Sequence, residues 1–144
     1  MRISTKGRYS LEAVLFLCLL PQGQYGSTRA IAENTGISEG YLEQLLIMLR
    51  RAGVVKGIRG PQGGYMPAQD PEHITVGEIL RVVEGPLEPV ACGAGDNLCS
   101  RELECPSRTV WQELYRELNR CADSINMADL VKACGILDNP EYQI

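Results

Sequence analysis

Three cysteines, Cys92, Cys99 and Cys105, are separated by six and then five residues. Their neighbours include Gly93, Gly95, Asp96 and Asn97, so they sit in a polar loop and not in a core strand or helix. Three soft thiolates on one loop can surround an iron–sulphur cluster. The same donors could hold zinc or act as a thiol redox switch. Asp96, Glu102 and Glu104 are the nearby carboxylates that could complete a ligand set. Pro106 suits the first position of a helix. Cys105 is therefore expected at that helix's N-cap, where the positive end of the dipole favours thiolate. The other cysteines, Cys18, Cys121 and Cys134, lie on apolar helical faces and read as packing residues. His73, the single histidine, stands in a Pro/Asp-containing loop and reads as solvated.

The elements that must position this loop follow from apolar spacing and capping residues. A first helix, apolar nearly all round, is expected from about Tyr9 to Leu20. Ser27 or Thr28 caps a second that ends before Gly36, and Ser38 caps a third that ends at Gly53. Two short helices joined at a glycine form a helix-turn-helix pattern, with Ala32 small where they approach and Ile31, Ile37, Leu42 and Leu45 locking them together. On the third helix, Leu42, Leu45, Leu46 and Leu49 face inward. Gly40, Gln44, Ile47 and Arg51 lie on the opposite line, flanked by Tyr41 and Glu43. Val54–Ile58 and Tyr65–Ala68 read as a hairpin, with Arg59 at its tip beside Gly60, Gly63 and Gly64. A hairpin directly after a helix-turn-helix has the position of a wing, and an arginine there suits a narrow minor groove.

Thr75-x-x-Glu78 opens a further helix with apolar face Val76, Ile79, Leu80 and Val83, stopped by Gly85-Pro86. After the cysteine loop, Trp111, Leu114, Leu118, Cys121 and Ile125 recur at steps of three and four along a long helix. Such a seam is too wide to leave in water and points to a homodimer. A short last helix is expected from about Met127 to Cys134, ending at Gly135.

The net charge of −4 is unevenly spread. Residues 1–68 carry eight Lys/Arg and four acids, giving +4; residues 69–144 carry six Lys/Arg and fourteen acids, giving −8. A basic amino-terminal half is what a phosphate-binding surface needs. The longest apolar run, Ala13–Leu20, has eight residues and ends at Pro21, well short of the ~18 of a membrane span. With no signal-peptide layout, the expected location is the cytoplasm, where six cysteines would not form a disulfide framework. No P-loop, G-x-S-x-G or dinucleotide fingerprint is present, which speaks against an enzyme. An iron–sulphur electron carrier would need no basic helix-turn-helix half.

Four runs carry a resemblance: Met1-Arg-Ile-Ser-Thr-Lys-Gly-Arg-Tyr9, Ile37-Ser-x-x-Tyr41-Leu-Glu-Gln44, Ile58-Arg-Gly-Pro-x-Gly-Gly-Tyr65 and Ile74-x-Val-Gly-Glu-Ile79. Together the sequence resembles the IscR-type iron–sulphur transcription regulators of the BadM/Rrf family over most of its length. The resemblance implies a mainly α fold with a small β-wing, a winged helix-turn-helix, and a dimer packed through the long carboxy-terminal helix. It implies double-stranded promoter DNA as partner, with Tyr41 and Gln44 at the major groove and Arg59 at the minor groove. Gln44 can pair bidentately with adenine, and Glu43 can accept from a cytosine amino group. Gly40 stands where the family often has serine. Arg51, Lys6 and Arg8 complete the expected DNA-binding set.

The resemblance also implies a [2Fe–2S] cluster on Cys92, Cys99 and Cys105. The family's Cys-x-x-His position is Arg108 here, and a carboxylate that one branch supplies from the partner's first helix is matched by Arg8. The fourth ligand stays open among Asp96, Glu102, Glu104 and a group from the partner. The resulting expectation is a winged-helix region over 1–85 and a cysteine-loop and dimerisation region over 86–144, forming one compact chain. Its function would be DNA binding governed by iron–sulphur or redox status. The alternative is a regulator of the same fold that answers to thiol or cysteine metabolism, or to zinc, without a cluster.

Overall fold

The computed structural model describes residues 1–91, 99–101 and 103–137. In chain order its elements are α1 (Thr5–Leu19), α2 (Thr28–Thr35), α3 (Glu39–Arg51), β1 (Val55–Ile58), β2 (Gly64–Pro67), a 3₁₀ turn (Pro71–His73), α4 (Val76–Glu84), α5 (Arg108–Ser124) and α6 (Met127–Leu137).

The helix-turn-helix forms as its capping residues dictate. The Ser27 hydroxyl accepts from the Ala30 N–H at 3.0 Å and starts α2. Gly36 ends it in the left-handed region, φ 75°, with its N–H donating to the Ala32 carbonyl at 2.9 Å. Ser38 then caps α3, accepting from the Tyr41 N–H at 3.4 Å. The core gathers Ala13, Val14 and Leu17 of α1, Ile31, Ile37, then Leu42, Leu46 and Leu49 of α3, with Val54, Val55, Ile74, Ile79 and Met127. Each fully buried Val, Leu or Ile contributes about 1.5–3 kcal/mol, so α1 is held by Val14 and Leu17 and α3 by Leu42, Leu46 and Leu49.

The hairpin pairs Val55 with Pro67 and Ile58 with Gly64 in antiparallel register. A third segment extends it: Gly26 and Tyr65 exchange two backbone hydrogen bonds of 2.8 Å each. A Cβ on Gly64 would run into the Gly26 carbonyl oxygen, so this approach requires glycine. The wing is therefore fastened to the start of α2.

Three expectations about boundaries are corrected. Helix α1 begins at Thr5, not near Tyr9, because its first turn is polar in sequence and is capped by Ser4 and, across the chain, by Glu84. Pro106 is not the first residue of the long helix. Ser107 is the N-cap, its carbonyl accepting from the N–H groups of Val110 and Trp111, and Arg108 is the first helical residue. Cys105 thus lies outside the N-cap, in the turn that precedes it. Helix α6 passes through Gly135 to Leu137, so that glycine is helical and not a terminator.

Helix α4 packs on α1 and on α5, and α6 packs on α1 and the 3₁₀ turn. The α4–α5 approach is close at Gly77, where a Cβ would strike Asp123. Arg81 donates to both carboxylate oxygens of Asp123, at 2.8 and 2.9 Å, and to the Asn119 Oδ1 at 2.8 Å. Asn119 in turn donates to the carbonyls of Leu87, at 3.0 Å, and Tyr115, at 2.9 Å. Among the described residues no helix is long and apolar enough to cross a membrane.

Candidate nucleic-acid interface and cysteine loop

The inward leucines of α3 leave Glu43, Gln44, Arg50 and Arg51 exposed. Tyr41 is only half exposed: its ring meets Tyr9 of α1 edge-on, with centroids 5.8 Å apart and planes at 83°. Tyr41 therefore also serves the packing of the first turn of α3 against the first turns of α1. Ile47, expected on the outward line, is half-buried. Arg59 is exposed at the end of β1, and the Gly63 N–H donates to the Gly60 carbonyl at 2.9 Å to close the wing tip.

Two further cations belong to this surface. Arg29 of α2 and Arg50 of α3 join Arg59 around a groove of about 480 Å³ between the wing and the start of α2. Arg29 also pairs with Glu33 at 3.0 Å, both exposed. Neither arginine stood out in sequence, because bringing the wing against α2 depends on the Gly26–Tyr65 bridge.

Lys6 and Arg8 are exposed on the first turn of α1. That turn is built around Glu84, the last residue of α4. Its Oε1 accepts from the Ser4 N–H at 2.8 Å, the Ser4 hydroxyl at 2.6 Å and the Gly7 N–H at 3.0 Å. A Cβ on Gly7 would come within 2.6 Å of that oxygen and 2.7 Å of Ile3 Cγ2, so the spacing Ser-x-x-Gly is what admits the carboxylate. The Glu84 carboxyl is held below its ordinary pKa, chiefly by the Ser4 hydroxyl, then by the backbone N–H groups and nearby Lys6, against an opposing effect of partial desolvation.

On the cysteine loop, Cys99 is exposed and Cys105 half-buried. The Cys105 Sγ lies 3.5 Å from the Ser107 Oγ, which also accepts from the Trp111 indole N–H at 3.0 Å. The Cys105 thiol is lowered, first by the Ser107 hydroxyl, then by backbone N–H groups of Ser107 and Arg108 and by the charge of Arg101, against slight desolvation. This hydroxyl, not a position at the N-cap, is the main source of thiolate character. Cys92, Asp96 and Glu102 lie outside the described residues. Glu104 is exposed in the turn it closes on Arg101. Among the described residues no three His, Cys, Asp or Glu side chains are gathered as a metal site.

The remaining cysteines differ from one another. Cys18 is half-buried against the core, and burial pushes its thiol up to about 11. Cys134 is half-buried. Cys121 is exposed in the single chain, on the seam of α5 expected to meet a second copy. It shares one side of α5 with Val110 and Leu114, 53% and 47% exposed, while Ala122, on another side, is buried. His73 is exposed, as expected.

A family model described as Rrf2, iron-dependent transcriptional regulator, matches residues 3–133. The chain is 40% identical over 130 residues to the HTH-type transcriptional regulator CymR of Bacillus subtilis, covering 90% of this chain and 89% of that one. It is 34% identical over 143 residues to the HTH-type transcriptional regulator IscR of Yersinia pestis, covering 99% and 87% respectively. In structure it is similar to the B. subtilis global cysteine regulator CymR, with TM-score 0.75 and 37% identity over 92% of this chain and 98% of the other. It is likewise similar to the IscR of T. potens, with TM-score 0.76 and 35% identity over 96% and 92%.

Proposed function

The chain belongs to the Rrf2 family of transcriptional regulators, and from that premise we propose that it is a homodimeric DNA-binding sensor carrying a [2Fe–2S] cluster on Cys92, Cys99 and Cys105. One observation carries the cluster reading: Cys105, the last of the three, lies 3.5 Å from the Ser107 hydroxyl, which lowers its thiol, and Cys99, six residues earlier in the chain, is exposed. Both Cys18 and Cys105 are half-buried, but burial raises the Cys18 thiol whereas hydrogen bonding lowers that of Cys105, and a ligand cysteine must be thiolate-prone. The donor set fits a sulphur-rich iron centre, with Cys92 supplied by the sequence and the fourth ligand coming from Asp96, Glu102, Glu104 or the partner. When bound, the cluster would supply one-electron redox chemistry and sensitivity to oxygen. This chain's residues would hold it and carry its state to the helices: Leu87, which precedes the loop, and Asn119 of α5 are hydrogen-bonded to each other.

Purification under anaerobic conditions tests this directly. The expected product is brown, with visible absorption and with iron and acid-labile sulphide in equal amounts. Zinc without sulphide, or a colourless protein with free thiols, would instead support a metal-site or thiol-responsive regulator. That second reading draws on the likeness to CymR, the global cysteine regulator of B. subtilis.

On the DNA side, Glu43, Gln44 and Tyr41 would face the major groove, Arg59 the minor groove, and Lys6, Arg8 and Arg51 the phosphates. Two such units related by a two-fold axis would read half-sites about one turn, ~34 Å, apart. Arg59→Ala is expected to weaken specific binding by about 1–3 kcal/mol, measured on a duplex enriched from a random library by the wild-type protein. An equal loss on unrelated duplex would show that Arg59 only neutralises phosphate.

A further inference from the structure

We propose that Glu84 is a positioning residue for DNA binding: it fixes the first turn of α1 so that Lys6 and Arg8 stand beside the start of the recognition helix α3. The inference rests on the reading that Lys6 and Arg8 meet DNA phosphates.

The geometry has three parts. A single carboxylate oxygen of Glu84 accepts hydrogen bonds from the Ser4 N–H, the Ser4 hydroxyl and the Gly7 N–H. These donors bracket Lys6 and stand immediately before Arg8, so the backbone carrying both cations is held from within the chain. Next, Tyr9, the following residue, contacts Tyr41 in the first turns of α3 edge-on, which places the clamped turn next to the helix start that carries Glu43 and Gln44. Last, Glu84 ends a helix that is itself anchored, three residues earlier, by Arg81 on Asp123 and Asn119 of α5.

The position of a negative charge in a basic surface follows from this. Free N–H groups at a helix start attract phosphate. Here Glu84 takes the N–H groups of Ser4 and Gly7, leaving the phosphates to the side chains of Lys6 and Arg8. An acid that would repel DNA if it stood alone instead fixes the cations that attract it.

The test is a double-mutant cycle on the full-length dimer, using the library-enriched duplex over a range of salt. Each lost phosphate contact lowers the slope of log affinity against log salt by about 0.9. Lys6→Ala/Arg8→Ala should reduce the slope by about two such contacts per protomer. Glu84→Ala should reproduce most of that reduction, with the dimer intact by sedimentation, and should add little when combined with the lysine and arginine changes. Glu84→Gln, which keeps an acceptor oxygen but not the charge, should fall between wild type and Glu84→Ala, and serves if the alanine variant does not fold. A wild-type slope in Glu84→Gln and Glu84→Ala beside a lowered slope in Lys6→Ala/Arg8→Ala overturns the positioning role alone. Fully additive effects overturn it too. A wild-type slope in Lys6→Ala/Arg8→Ala removes the underlying reading of the interface.

Discussion

Alanine at Cys92, Cys99 and Cys105 together is expected to leave an anaerobically purified protein with no iron, no sulphide and no visible absorption. The effect should be all-or-none, because the loop carries three thiols and no spare. Each single change should lose most of the iron. Alanine at Cys18, Cys121 or Cys134 should leave the iron in place. Cys18→Ala alone should cost stability, since that thiol is half-buried against the core and removing it leaves a small void. Arg108→His should slow the loss of colour in air. Arg108 stands three residues after Cys105, and its N–H donates to the Cys105 carbonyl at 3.3 Å, so a histidine there starts from the same turn as a ligand thiolate. Iron and sulphide per chain, with absorption followed after exposure to oxygen, decide the matter. Full iron retention in the triple variant would rule the loop out as the cluster site.

Leu114→Glu is expected to turn the dimer into a monomer and to weaken operator binding by roughly 10²–10⁴-fold, the usual gain from joining two binding modules. Leu114 is 47% exposed in the protomer, and Val110 beside it 53%, so a charge at 114 should do little to the fold of one chain. Between two copies it would bury an unpaired carboxylate, which is costly. Leu118→Glu should act in the same direction, with some added loss of protomer stability because Leu118 is half-buried. Sedimentation at micromolar concentration and binding to duplexes with one or two half-sites measure both effects. A wild-type protein that sediments as a monomer would defeat the prediction.

The helix-turn-helix was legible because its signals are local. Ser27, Gly36, Ser38 and Gly53 stand where a cap or a left-handed turn is needed, and the leucines of α3 follow one helical face. The wing was legible for the same reason. The start of α1 was not, because Thr5, Lys6 and Arg8 carry no apolar period and their helix is closed by Glu84, eighty residues from Ser4 in the chain. The role of Gly7 was hidden with it, since it depends on that distant carboxylate. At the cysteine loop, the residue types announced thiolate chemistry, yet Pro106 suggested a helix start that Ser107 takes instead.

The hydrogen bond from Asn119 to the Leu87 carbonyl also bears on entropy. It joins two points of the chain that flank all three loop cysteines, so the stretch between them is a closed ring before any ligand arrives. Closing a flexible chain of n residues costs roughly (3/2)RT ln n plus a constant. The packing of α4 on α5, through Arg81, Asp123 and Gly77, has already met that cost on folding. A ligand that gathers the three thiols therefore binds within a segment whose two ends are already held together. More of its binding free energy remains to bias the arrangement of α4 and α5, the two elements on which the ring is strung.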